Sequence, residues 1–267
     1  MPTLLLLGSL LAVAPGCARR SVPANLPILS ARATYERGLR LIDKHNLFQA
    51  ISTLQLVDLR YSQEERQELE PLVKLAIADA TFYQDNTIAL IDASTLYDEF
   101  VTLYVDHPMA PYAQFQIGMC ALKQVNQPTK DQTQTHAAIA ALSRVQRNYP
   151  SSAYARAGRD MVESAHTNLA EHEYRIGRFY MKRKKYTAAI RRFERVLDSY
   201  PDYSRKDRLF FQLGRSLLAE NNDVEAKLFF DKLLADYPEG KYAEEARKVL
   251  VAVGGLELGL EASAATD

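Results

Sequence analysis

Neither sign of charge is in excess in this 267-residue sequence: Lys and Arg together number 33, and so do Asp and Glu. Without net positive charge the chain lacks the electrostatic footprint of a strongly basic nucleic-acid binder, so no nucleic-acid partner is expected. Motifs that carry chemistry are equally scarce. The one Gly-Lys pair, Gly240-Lys241, lacks both the following hydroxyl residue and the upstream glycine of a phosphate-binding loop. The five histidines are scattered. Glu171-His172-Glu173 sets its carboxylates beside the imidazole rather than one helical turn away, a poor arrangement for a shared metal. Cys120 lies among Ile117, Met119, Ala121 and Leu122, a setting that suits a buried thiol better than a nucleophile. Neither an enzyme nor a cofactor is expected. Strand signals are almost missing, because β-branched residues nowhere alternate between paired turn signals.

A long hydrophobic run is also missing. The apolar stretch from Leu4 to Ala14, interrupted by Gly8 and Ser9, is about half of what a membrane-spanning helix needs. Its length suits the core of an export signal, although no Lys or Arg precedes Arg19. Val13-Ala14-Pro15-Gly16-Cys17 resembles the lipobox of bacterial lipoproteins, with Ala14 in place of the usual leucine and Pro15 before the glycine as departures. The resemblance implies removal of residues 1–16 and a covalent lipid at Cys17, in which several acyl chains make a stable tether. Ala18 after the cysteine favours the outer membrane. An ordinary signal peptide, or a structural cysteine, is the alternative. Once Cys17 is lipidated, Cys120 has no disulfide partner, and stability must come from packing.

A repeat supplies that packing. Ile176-Gly177-x2-Tyr180, then Ala189, Phe193, Val196 and Pro201, follow the tetratricopeptide (TPR) spacing. Phe210-x2-Leu213-Gly214-x2-Leu217, then Ala226, Phe230, Leu233 and Pro238, follow it again. The glycines and small alanines let two antiparallel helices approach, the phenylalanines fill the seam, and the prolines end each unit. Weaker copies lie upstream. The first is Gly38, Leu41, Ala50, Leu54 and Val57. The second is marked by Phe100, Leu103 and Pro108, with Leu96 at the small position. The third is Ile117-Gly118 and then Ala138, Leu142, Val145 and Pro150, after a polar insertion, "QVNQPTKDQT", expected to be a loop.

The expected fold is all-α, a superhelical TPR-like solenoid of about five helical hairpins. Residues 17–30, with two prolines, form a flexible linker, and residues 31–150 hold repeats one to three. Residues 151–250 hold a long helix plus repeats four and five. From Ala153 to Lys182 there is no proline, which predicts one helix of about 28 residues, roughly 42 Å long. A shorter extension around Pro71 to Tyr83 is expected to lengthen the first helix of repeat two. In the tail, residues 251–267, paired glycines predict one short helix at most and a frayed end.

Two binding surfaces can be placed on such a fold. Three residues before each glycine position stand Tyr35, Thr81, Phe115, Tyr174 and Phe211, an aromatic ladder suited to gripping an extended peptide if the rings are open. The same rings could equally pack between helices. Repeat four is basic, and Lys182, Arg183, Lys184 and Lys185 are the candidate partner surface, against the alternative of a merely solvated helix face.

Several stretches resemble the BamD family of outer-membrane assembly lipoproteins: "TYERGLRLIDKHNLFQAISTLQLVDLRYS" (34–62), "FVTLYVDHP" (100–108), "RVQRNYPSSAYARAG" (144–158) and "LAEHEYRIGRFYMKRKKYTAAIRRFERVLDSYPD" (169–202). The resemblance implies a non-catalytic scaffold, lipid-anchored on the periplasmic face of the outer membrane. It implies as partners unfolded outer-membrane proteins at the N-terminal repeats and the periplasmic domain of a BamA-like β-barrel insertase at the C-terminal ones, with other assembly lipoproteins possible. A lipidated TPR adaptor of cell-wall or division machinery is the competing reading.

Overall fold

The computed structural model describes residues 29–264, and every regular element among them is a helix. Cys17 and most of the linker lie outside the described residues. Twelve helices follow one another: α1 (Ala31–Asp43), α2 (Leu47–Arg60), α3 (Gln63–Arg66), α4 (Glu70–Phe82), α5 (Thr87–Leu103), α6 (Ala110–Leu122), α7 (Thr133–Asn148), α8 (Ala153–Lys182), α9 (Tyr186–Ser199), α10 (Lys206–Leu218), α11 (Asp223–Asp236) and α12 (Ala243–Ala264). Apart from the single turn α3, which α2 bypasses to pack on α4, each packs mainly on its neighbours in sequence, as a solenoid requires. No helix among the described residues is long and apolar enough to cross a membrane.

Local chemistry sets the helix starts. Ser30, Asn86 and Ser152 cap α1, α5 and α8 by accepting the amide hydrogens of Ala33, Ala89 and Ala155. Ser62 and Glu65 form a reciprocal capping box on α3. His45, Asp85, Lys184 and Asn221 adopt left-handed φ values of 57°, 51°, 56° and 60°, and turn the chain between the paired helices of repeats one, two, four and five.

The hairpins close on glycine. A Cβ added at Gly38 or Gly118 would lie 2.5 Å from the side chain of Leu54 or Leu142, and one at Gly177 or Gly214 would lie 2.5 or 2.8 Å from Phe193 or Phe230. All four seam side chains are fully buried. The expected small-residue, seam and proline positions of repeats four and five are therefore those of the folded hairpins.

Repeat two departs from its expected register. The buried face of α5 is Leu90, Ala93, Tyr97 and Phe100, whereas Leu103 is 60% exposed and Leu96 only partly buried. Pro108 misleads because it stands five residues past the end of α5, whereas Pro150, Pro201 and Pro238 stand two past the ends of α7, α9 and α11. The left-handed turn residue gives the better anchor: Gly38, Gly177 and Gly214 each stand seven residues before one, and so does buried Ala78 before Asp85. The residue at the ladder offset of repeat two is then Leu75, not Thr81. Nor is the first helix of that repeat lengthened, since α4 has 13 residues, like α1, and the extra chain forms the single turn α3.

Helix α8 runs unbroken for 30 residues, about 45 Å. Its first half packs on α7 and its second half on α9, so one rigid rod belongs to both halves of the array. The polar insertion before α7 is a loop, and it is pinned to this rod. Asn168 Nδ2 donates to Gln132 Oε1 at 3.0 Å, Gln132 Nε2 donates to the carbonyls of Gln127 and Lys130, and His172 Nδ1 donates to the carbonyl of Pro128. The C-terminal expectation fails: α12 continues through Gly254 and Gly255 to Ala264. Each glycine costs roughly 1 kcal/mol relative to alanine, but with no proline to interrupt it the flanking Leu, Glu and Ala sustain the helix.

The seams make a contrast that unfolding experiments can read. Gly177→Ala should destabilise by about 1–3 kcal/mol, because the Phe193 ring must move. Gly158→Ala, whose Cβ would meet only ordinary contacts at 3.6 Å, should raise the urea midpoint through helix propensity of up to about 1 kcal/mol.

Candidate protein-binding surfaces

The aromatic ladder divides into two kinds. Tyr174 and Phe211 are core residues, each 3% exposed. Tyr174 packs on Phe193 with ring centroids 5.6 Å apart and is covered by the Arg208 guanidinium at 4.1 Å. Phe211 stacks on Tyr242 at 5.0 Å and meets Phe230 edge-on at 6.1 Å. Neither presents a ring to a peptide, contrary to the groove expectation, because Arg208 and Tyr242 cover this part of the inner face. Tyr35 and Phe115 differ. Both are half-buried, and Phe115 lies against Tyr154 at 5.6 Å.

Around these two rings the structure gathers residues that spacing did not single out. Tyr83 at the end of α4 is 44% exposed. Tyr112 on α6 meets Tyr154 on α8 at 5.6 Å. At the centre is Asp79 on α4, whose Oδ1 accepts hydrogen bonds from Tyr97 at 2.6 Å and Tyr112 at 2.8 Å, while Gln116 Nε2 donates to the Tyr112 hydroxyl at 2.8 Å. Burial pushes the Asp79 carboxyl up and the two phenols pull it down; burial wins, and the net shift is upward. Its charge also lifts Tyr35, behind the larger effect of that ring's own burial. A signal was present in the sequence: Asp79 is the one acid between Pro71 and Gln84, in a stretch that is mostly apolar.

Lys182, Arg183, Lys184 and Lys185 form the turn from α8 to α9, and all four are exposed. None makes an ion pair among the described residues. Arg183 lies over the half-exposed Phe179 ring at 3.6 Å, so the turn carries an apolar plate as well as charge. Most of the other basic residues of this repeat are committed elsewhere. Glu171 accepts from Arg175 at 2.9 Å, from Tyr203 at 2.9 Å and from Arg208, and Glu173 from Arg192 at 2.9 Å and Arg195 at 3.2 Å. The carboxylates of Glu171-His172-Glu173 are thus internal ties between α8 and the helices after it. Cys120 is 1% exposed, and burial pushes its thiol up to about 12, which suppresses the thiolate a nucleophile needs.

Glu171 yields a pH-dependent expectation. Burial pushes its carboxyl up, but the hydrogen bonds from Tyr203, Arg175 and Arg208 and the charge of Arg208 outweigh this, so the net shift is downward. A carboxyl lowered on folding stabilises above its unfolded pKa of about 4.3, and that stabilisation is lost as pH falls through the folded value. Glu171→Gln should cost on the order of 1–2 kcal/mol in urea unfolding near pH 7. The deficit should fade as the pH falls below about 4; a deficit independent of pH would contradict the pairing.

Comparison with known proteins fits this architecture. Residues 29–222 match the family model YfiO, described as outer membrane lipoprotein, and residues 208–240 match a tetratricopeptide-repeat model. The chain is 28% identical over 218 residues to the outer membrane protein assembly factor BamD of Caulobacter vibrioides, covering 81% of this chain and 69% of that one. It is 24% identical over 216 residues to BamD of Rickettsia prowazekii, covering 81% and 84%. Since the family match spans most of the sequence, the chain belongs to the YfiO family of outer membrane lipoproteins, and the relatives it is similar to are BamD assembly factors.

Proposed function

We propose that this protein is a non-catalytic scaffold of outer-membrane protein assembly, tethered to the membrane by lipid at Cys17 and facing the periplasm. In this reading the half-open rings of the N-terminal repeats, with Tyr35 and Phe115 among them, receive extended segments of unfolded outer-membrane proteins. The basic turn Lys182–Lys185 docks the periplasmic domain of the β-barrel insertase, and other assembly lipoproteins join the remaining surface. The observation that carries the proposal is the division of labour along one array. The rings are open where a client would enter and covered where the core must hold, and four exposed cations with no ion pair among the described residues stand at the hairpin turn beyond. Family membership supports the outer-membrane setting.

Isolation of the native complex tests this. The β-barrel insertase should co-purify with the full chain, whereas peptidoglycan-associated proteins in its place would overturn the assembly reading. Reversing all four charges, Lys182→Glu, Arg183→Glu, Lys184→Glu and Lys185→Glu, should reduce capture of the insertase about tenfold, and added salt should weaken the wild-type interaction. Undiminished capture by the reversed chain would remove the turn from the interface.

A further inference from the structure

We infer that Asp79 makes the N-terminal groove selective for extended peptide segments that carry a lysine or arginine beside an aromatic residue. The inference rests on the groove reading above and names its substrate class.

The partly buried carboxylates differ in their partners. Glu171 and Glu173 are partly buried and each is held by two arginines. Asp79 is partly buried too, yet no lysine or arginine among the described residues pairs with it. A carboxylate removed from water without a cation is costly, and a purely structural role would be served as well by an amide. Both of its hydrogen bonds, from Tyr97 and Tyr112, end on Oδ1. These bonds anchor the group between α5 and α6 and leave Oδ2 with no hydrogen-bond donor among the described residues.

The surroundings suit a cation with a hydrocarbon stem. Tyr112, Tyr154 and Phe115 lie in consecutive ring contacts of 5.6 Å, and the Tyr112 hydroxyl donates to Asp79 Oδ1 at 2.8 Å. An ammonium or guanidinium entering between such rings gains from their faces, while its methylenes cover apolar surface and its charge meets Oδ2. An acidic side chain at the same place meets uncompensated negative charge and is rejected. The site therefore takes a basic residue, and the neighbouring rings take the aromatic one.

The experiment uses the full chain and two labelled synthetic peptides, Ser-Tyr-Ser-Lys-Ser-Phe-Ser and its twin with Gln in place of Lys. Fluorescence anisotropy at low salt should show wild type binding the lysine peptide about tenfold more tightly than its twin. Asp79→Asn keeps an oxygen for both phenols and removes the charge. It should bind both peptides equally, with an unfolding midpoint no lower than that of wild type. Independently of any variant, carbodiimide coupling of the lysine peptide to wild type should place the amide at Asp79 on peptide mapping. Equal binding of both peptides by wild type, a preference surviving in Asp79→Asn, or coupling only at other carboxylates would overturn the inference. Phe115→Ala separates the two levels of the claim. If both peptides bind wild type equally and this change weakens both, the groove stands and the Asp79 inference falls. If neither peptide binds wild type, the groove reading falls and takes the inference with it.

Discussion

Four helix pairs in this protein approach so closely that a side chain's first carbon does not fit between them, and that steric limit sets the geometry of everything else. At Gly38, Gly118, Gly177 and Gly214 the space of the missing Cβ is occupied by Leu54, Leu142, Phe193 and Phe230. Because each pair is closed in the same way, stacking neighbours brings the same helix face inward each time. The inner face is thus a product of the seams. α8 extends the constraint, since it contributes Gly158 beside Leu142 to the third unit and Gly177 to the fourth. A rod shared by two hairpins holds the halves at one spacing without a linker between them.

What each half does with its inner face is a matter of which groups cover the rings. In the C-terminal half, Arg208 and Tyr203 reach back to Glu171 and the Arg208 guanidinium lies over Tyr174, so the aromatic positions are sealed into the largest of the cores. In the N-terminal half no such strap crosses α1, α4 and α6 among the described residues, and the rings of Tyr35, Tyr83 and Phe115 keep open surface around a carboxylate held by two tyrosines. The same repeat therefore supplies a closed core at one end and a face of half-open rings at the other. The basic turn after α8 stands beyond the sealed part, with its four charged side chains exposed.

Much of this was legible in the sequence, and the reasons for success and failure are physical. Gly177 with Phe193 and Gly214 with Phe230 were readable because steric closure demands one residue type at one spacing. The unbroken helix from Ala153 to Lys182 was readable because nothing in it interrupts hydrogen bonding. Repeat two was misread by one turn because Pro108 marks the end of a loop rather than the end of a helix, and only backbone φ at Asp85 shows the register. The burial of Tyr174 and Phe211 depends on Arg208 and Tyr242, which are far along the chain, so no local pattern announces it. Glu171 and Glu173 looked like failed metal ligands because a sequence shows neighbours on one helix and hides arginines arriving from others. Asp79 was visible as an isolated acid but not as one without a counter-ion.

The central claim is that clients enter along the open rings of the N-terminal inner face. Site-specific photo-crosslinking tests it most directly, with a photoreactive residue in place of half-buried Phe115 and, in a second chain, in place of Ile88, which is exposed on α5. With an unfolded outer-membrane protein present, the account predicts adducts from position 115 and few or none from position 88. Equal yields from both, or adducts from position 88 alone, would contradict it.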